Sequence, residues 1–446
     1  MAPDSIRSPR RSPVVSPAWA GTLLLTGLLG VSPPLLARAQ ETLVDDRAEA
    51  ARQNPRDYAA QRAYGEALLR AGRFPEARRQ MARAARLERS SLEAHYDVAR
   101  VEFAAGDTRR ARRACVALRR RDRAAALTKV CEARAFLAEN RSGRAFDQLE
   151  AALAAAPEDA RAWTAMGDAR RLRGQLDEAR AAYRKAAELA PEDPAPHLGL
   201  GRLEAAARRD AQAVAALRQA YRRDPGDPVI QFELAEALPA GDEQRTALLE
   251  KAVAGRPSWP EAWAALGDAL FRDARPSEAE DAYRKAIAEG DELAPAHAGL
   301  GRALAAQDDL DGAEAALRRA LELVPNYVEA KLALAGVLAD NDQTELALGL
   351  YREAANLDPS DPRPLVRAAR LALAEDRDVT ASGYITRAAS IAGDHALVLE
   401  AQGDLARHRG RKDQATSFYR RALAADRGRG ELDRSRVERA LATMRD

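Results

Sequence analysis

A spacing of 34 residues constrains this chain more than any other feature of its sequence. Trp163, Met166-Gly167, Ala179, Tyr183, Ala186 and Pro191 return one period later as His197, Leu200-Gly201, Ala213, Leu217, Ala220 and Pro225. The series continues through Trp263, Leu266-Gly267, Ala279, Tyr283 and Ala286, then His297, Leu300-Gly301, Ala313, Leu317, Ala320 and Pro325. Leu334, Ala347, Tyr351, Ala354 and Pro359 carry it on, and Gly403, Ala415, Tyr419 and Ala422 form the last good copy. Upstream, Tyr64-Gly65, Ala77, Met81 and Ala84 match, as do Val98-Ala99 and Ala111. Counted by first position, units start at 58, 92, 126, 160, 194, 228, 260, 294, 328, 362 and 396, the weakest being those at 126, 228 and 362. A period of this size means that each unit buries its apolar face on its neighbours rather than in one central core.

Each unit reads as two amphipathic helices of about 12 to 14 residues. Alone, such helices are marginal in water. Gly or Ala in the first helix and two alanines in the second permit close approach, while Trp163, Met166 and Tyr183 fill the remaining gaps. A proline at the unit's end stops the second helix, and acidic residues such as Asp177-Glu178 favour the dipole at its start. Composition agrees. Hydrophobic residues make up 46%, aromatics only 5% and charged residues 31%, which suits helices packed through small side chains and not a sandwich or barrel rich in Val, Ile and Tyr. The formal net charge is +2. Only six of the 70 basic residues are lysine, and basic and acidic residues alternate along the helices. That pattern is a solvated, ion-paired surface, so no nucleic-acid partner is expected.

These residues resemble the tetratricopeptide repeat (TPR) family, whose pattern of small and large positions they match in register across nearly the whole chain after residue 57. The resemblance implies an all-α, right-handed superhelix of about eleven helix-turn-helix repeats over residues 58–429. Residues 40–57 and 430–446 are expected as capping helices, since a solenoid needs polar ends. The unit at 228 is two residues short and carries Pro239 and Gly241, which fits a hinge, a change of pitch or a tolerated loop change. The family lines a concave groove with the second, fifth, ninth and twelfth positions of each unit. Here they include Tyr96, Arg100, Phe103, Arg134, Asp168, Arg202, Phe232, Glu236, Asp268, Phe271, Arg302 and Arg370. Aromatic residues and Arg are the types that anchor interfaces, so Tyr96, Arg100, Phe103 and Arg134 form the first candidate patch. The Lys and Asn clamp with which some relatives hold a terminal carboxylate is missing from the fifth and ninth positions.

The N-terminus has its own grammar. Arg7, Arg10 and Arg11 precede an apolar run over residues 18–31, then Pro33-Pro34 and Ala37-Arg38-Ala39. That is the order of a secretory signal peptide, residues 1–39, with an uncleaved membrane anchor as the alternative. The run is short for a span, which needs about 20 residues. Removing residues 1–39 takes the net charge from +2 to −1.

Cys115 and Cys131 are the only cysteines. They fall on the second helix of one unit and the first of the next, about equally far from the turn between them, and in an exported chain that pairing reads as a disulfide. Of the five histidines, His95, His197 and His297 take the slot of Trp163 and Trp263, as packing residues. There is no His-Glu-x-x-His, Cys-x-x-Cys, G-x-S-x-G or P-loop, so no catalytic, cofactor or metal residue is assigned. The leading expectation is a non-catalytic scaffold of the bacterial cell envelope or periplasm that holds a protein or peptide partner in its groove. The alternative is a polysaccharide-binding or export-associated periplasmic component, which would need exposed aromatics for stacking.

Overall fold

A computed structural model describes residues 33–426 and 432–444, with side chains from residue 42 onward. The expected leader therefore lies outside the described residues, apart from the backbone of residues 33–39, which continues the first helix. All regular structure among the described residues is helical. A long helix, α1 (Pro33–Gln53), precedes eleven antiparallel pairs. These are α2 (Tyr58–Arg70) with α3 (Phe74–Leu87), α4 (Leu92–Ala104) with α5 (Thr108–Arg121), α6 (Ala126–Ala138) with α7 (Ser142–Ala155), and α8 (Ala160–Leu172) with α9 (Leu176–Leu189). Next come α10 (Pro194–Ala206) with α11 (Asp210–Arg223), α12 (Pro228–Ala237) with α13 (Gln244–Gly255), and α14 (Pro260–Arg272) with α15 (Pro276–Glu289). The last are α16 (Ala294–Ala305) with α17 (Leu310–Leu323), α18 (Val328–Asp340) with α19 (Thr344–Leu357), α20 (Arg363–Ala374) with α21 (Asp378–Ala392), and α22 (Ala396–His408) with α23 (Lys412–Asp426). A short helix, α24 (Arg434–Ala442), closes the stack.

Local chemistry sets the helix ends. Asp57, Asp193 and Asp227 accept backbone amides at 2.9, 2.9 and 2.7 Å, satisfying donors that a helix start leaves free. Pro194, Pro228 and Pro260 stand in the first turn, where proline costs nothing. The turn between paired helices uses one left-handed residue at the fifteenth position in every unit except that at 228. It is Gly72, Gly106, Gly174 or Gly410 in four units and Asn140, Asp308, Asp342 or Asp376 in four others. Arg208 and Ala274 hold it with φ of 57°, a conformation their side chains disfavour.

Packing explains the period. A Cβ on Gly167 or Gly267 would stand 2.6 Å from the ring of Tyr183 or Tyr283 in the second helix, so the eighth position must stay small. Tyr183, Tyr283 and Tyr419 are fully buried. The tryptophan slot serves the loop before it. Trp163 Nε1 donates to the Pro157 carbonyl at 2.8 Å and Trp263 Nε1 to that of Pro257 at 2.7 Å. His297 makes the equivalent bond to Asp291 at 2.9 Å and His95 to Arg89 at 3.2 Å. Histidine thus replaces tryptophan there by keeping a ring N–H. At His197 the equivalent carbonyl, of Pro191, accepts Arg223 instead, and His197 Nε2 has no hydrogen-bond partner among the described residues.

Consecutive first helices touch along one side (α4 with α6, α6 with α8, α14 with α16, α16 with α18). They therefore line the inner curve, and the second helices fan outward. The stack also bends back on itself, because α1 packs on both α2 and α13. Arg70 meets Asp224 at 2.6 Å. The Arg256 guanidinium lies 5.0 Å above the Phe74 ring and 4.7 Å from that of Trp259. The short unit is the docking point: α12 has only 10 residues and α13 only 12. Gln61 ties α1 to α2 by donating to the Ala51 carbonyl at 2.6 Å. At the far end Arg436 of α24 donates to buried Glu400 and Asp404, both at 2.9 Å, so the last unit is capped by an ionic cluster.

The left-handed turn at Ala274 yields a test. Ala274→Gly removes a steric cost of about 1 kcal/mol, so its urea unfolding midpoint should rise relative to the parent chain. An unchanged or lower midpoint counts against strain at this turn.

Candidate functional site

The inner curve is where side chains of many units converge, and its ninth positions form a ladder of charge. Reading along the stack, these are Glu66, Arg100, Arg134, Asp168, Arg202, Glu236, Asp268, Arg302, Gly336, Arg370 and Asp404. Neighbouring rungs are often opposite in sign and close enough to pair. Arg100 stands 3.6 Å from Glu66, Arg302 2.6 Å from Asp268, and Arg370 3.7 Å from Asp404. Arg202 turns to Glu233 at 2.7 Å. Most of the groove's arginines are thus already engaged by the scaffold.

A second rule sits behind the ladder. Asp at the ninth position occurs only where the twenty-fourth is Tyr, in three of the four such units, the fourth pairing Tyr351 with Gly336. Tyr183 donates to Asp168 at 2.7 Å, Tyr283 to Asp268 at 2.8 Å and Tyr419 to Asp404 at 2.7 Å. Burial first, then the adjacent carboxylate, pushes each phenol well above its ordinary range, so the phenol keeps its proton and donates. Where the twenty-fourth residue is Cys115, Leu149, Leu217, Leu317 or Ile385, the ninth is Arg. The sequence carried this coupling in plain view, but as a correlation between two columns rather than as a motif.

The expected site residues divide accordingly. Tyr96 is 3% exposed. It sits among Leu92, Phe103, Leu118, Leu127 and Cys131, because its unit lacks a bulky twenty-fourth residue and the ring fills that volume. Only its hydroxyl is offered, and it accepts Arg134 at 3.1 Å. Arg134 also lies over Phe103 at 5.3 Å, so these three residues do form one cluster. Arg100 instead donates to Asp97 at 2.8 Å. Phe271 lies 5.3 Å beneath Arg302, repeating the arrangement of Phe103 and Arg134 further along. Phe232 leans on Trp259 with ring centroids 4.6 Å apart. Asp168, Arg202 and Phe232 lie in three further units, Asp168 on the rung next to Arg134.

One rung breaks the ladder. At Gly336 there is no side chain, and a recess of about 390 Å³ opens between Phe271, Leu332, Ala333 and Val337 on its apolar side and Arg302, Arg367, Glu329 and Asp340 on its polar side. A Cβ at Gly336 would meet only the Tyr351 hydroxyl, at 3.9 Å. Arg367 is exposed and has no ion pair among the described residues. Sequence reading passed over this residue because a missing side chain is not a motif.

Cys115 and Cys131 lie at disulfide distance, with sulfurs 2.03 Å and Cα atoms 5.4 Å apart, joining α5 to α6. Among the described residues no group of three or more His, Cys, Asp or Glu could hold a metal ion, and no helix is long and apolar enough to cross a membrane. The loop closed by the cysteines spans 16 residues, so opening it by Cys115→Ser with Cys131→Ser should cost about 3 kcal/mol in urea unfolding. The native protein should also gain the mass of two hydrogens on reduction. Two free thiols before reduction would contradict the pairing.

Family models described as "Tetratricopeptide repeat" match residues 37–94, 245–295 and 299–362, and a further one matches 194–237. A model described as "TPR repeat" matches 167–204. Together they cover more than half of the chain. No curated protein matches. Among solved structures, the chain is similar to a tetratricopeptide repeat protein from Parabacteroides merdae, at 13% identity over 57% of this chain and 99% of that one, with a TM-score of 0.49. It is also similar to yeast Tom70, at 13% identity over 87% and 95% with a TM-score of 0.43. A third is YrrB, described as a TPR protein with an unusual peptide-binding site, at 22% identity over 49% and 97% with a TM-score of 0.30.

Proposed function

The chain belongs to the tetratricopeptide repeat family, and from that premise we propose that it is a non-catalytic scaffold of the bacterial cell envelope that holds a protein or peptide partner in its concave groove. The observation that carries this reading is the recess at Gly336. Elsewhere on the inner curve a charged ninth residue stands in the groove, most often against a neighbouring charge. Here a recess opens instead, floored by half-buried Ala305, Ala333 and Gly336 above the buried Leu332 and Val337, beside the exposed Arg367. An apolar side chain of a partner fits that floor, and an acidic neighbour on the same partner would meet the guanidinium.

The envelope address is supported by the order of residues 1–39 and by a cysteine pair suited to an oxidising compartment. A polysaccharide reading finds less support in the groove, because Phe103 and Phe271 are covered by Arg134 and Arg302 rather than left open for stacking.

The scaffold supplies its own test. A Cβ at Gly336 meets nothing closer than the Tyr351 hydroxyl, at 3.9 Å, so Gly336→Arg fills the recess without a clash at its base. Crosslinked from the envelope fraction, the parent chain should recover a partner that Gly336→Arg loses at least tenfold, with unchanged helical circular dichroism. Equal recovery by both removes the recess from the binding site. A partner recovered only from the cytoplasmic fraction contradicts the envelope address.

A further inference from the structure

The near-neutral net charge conceals one strongly basic face. The helix α5 carries Arg109, Arg110, Arg112, Arg113, Arg119, Arg120 and Arg121 in 14 residues, with no acidic residue. The helix α3 adds Arg78, Arg79, Arg83 and Arg86 against Glu76 alone. Second helices further along carry only a small excess of either sign: α11 holds Arg218, Arg222 and Arg223 against Asp210, whereas α15 holds Arg284 and Lys285 against Glu278, Glu280, Asp281 and Glu289. Every arginine of α5 is exposed. The ends of the two basic helices meet, since Arg121 donates to the Arg89 carbonyl at 3.3 Å. The acids that face α5 are few. Asp107 stands 3.4 Å from Arg110, Glu139 3.2 Å from Arg112 and Glu132 3.4 Å from Arg119, and Asp122 caps the following turn through the amides of Ala124 and Ala125. Among the described residues Arg109, Arg113, Arg120 and Arg123 have no ion pair.

We propose that the outer face of α5, with the end of α3 beside it, docks on a surface of anionic phospholipid headgroups. Arg109, Arg113 and Arg120 are spaced by four and by seven, so they fall on one stripe. That stripe runs along a helix of about 21 Å. Such an outward ridge meets a plane of phosphates rather than entering a groove. Guanidinium binds phosphate oxygens two at a time. Contact is by charge and not by insertion, because Ala111, Cys115 and Leu118 of α5 are buried and its other apolar residues, Ala114, Val116 and Ala117, are half-buried rather than exposed. A nucleic-acid strand is the poorer fit: α5 has no aromatic side chain on which a base could stack, and Phe74 of α3 lies under Arg256. The basic repeats are also those that follow the apolar run of residues 18–31 most closely in the chain. That last point rests on the envelope reading above, whereas the charge pattern and its test do not.

The experiment is co-sedimentation of the full chain with phosphatidylcholine vesicles, with and without phosphatidylglycerol, at low and high salt. An arginine at an anionic surface is worth a factor of about five in affinity. Arg109→Glu with Arg113→Glu and Arg120→Glu should therefore weaken binding to the anionic vesicles at least fiftyfold. A control with the same charge change elsewhere, Arg218→Glu with Arg272→Glu and Arg411→Glu, should weaken it far less. Binding by the parent should fall steeply with salt. Equal binding by the two triple variants, or parent binding to neutral vesicles as tight as to anionic ones, overturns the proposal. So does binding of the parent to a DNA or RNA oligonucleotide more tightly than to anionic vesicles. All three proteins should share one thermal midpoint, because every substituted arginine is exposed.

Discussion

Everything in this molecule depends on one contact: a bulky side chain at the twenty-fourth position of a unit, wedged between a small residue at the eighth position of the same unit and another at the sixth position of the next. Tyr183 lies against both Gly167 and Gly199, and Tyr283 against both Gly267 and Gly299. A single side chain thus joins the two helices of its own unit and the first helix of its neighbour. Helices of this length are marginal alone, so the contact is what turns a series of weak elements into a stack with nearest-neighbour stability. It also carries function outward, because the phenol of Tyr183, Tyr283 or Tyr419 fixes the aspartate that forms part of the inner charge ladder.

The cysteine pair is the same contact made covalently. Cys115 stands at the twenty-fourth position of its unit and Cys131 at the sixth of the next, 16 residues on, which is also the separation of Tyr183 from Gly199 and of Tyr283 from Gly299. Two small residues there could not fill the volume that a tyrosine fills. A bond across the junction, with Tyr96 turned into the adjoining core, closes it instead. This junction leads into the unit at 126, one of the three of weakest pattern, and underlies the most basic helix, so the staple ties down the surface on which Arg109, Arg113 and Arg120 are displayed.

Helix pairs, their starts and the small-to-large alternation were legible in the sequence because each depends on contacts within one or two units, and those repeat at fixed spacing. The groove was less legible because its character depends on what lies one unit away. Tyr96 has the spacing of a groove residue, yet a vacancy at Cys115 draws it inward. Arg100 and Arg302 look like free anchors until Asp97 and Asp268 are seen beside them. Gly336 gains meaning only from the charged residues that occupy its position elsewhere. Two further features left no local signal. Arg208 and Ala274 adopt a left-handed turn that neither residue type announces, and α1 reaches α13 past the intervening helices α2 to α12, a closure that no 34-residue pattern encodes. Averaging concealed the rest, because a net charge of +2 sums a basic outer face with a net acidic remainder.

The most direct measurement sets one chemical change against itself at two glycines. Gly299 lies where a Cβ would overlap the Tyr283 ring, whereas Gly383 lies on α21 with nothing within 4 Å of such a Cβ. If the wedge governs stability, Gly299→Ala should lower the free energy of urea unfolding by about 2 kcal/mol, while Gly383→Ala should raise it by up to about 1 kcal/mol through helix propensity alone. Two alanine variants that shift in the same direction and by the same amount would contradict the account.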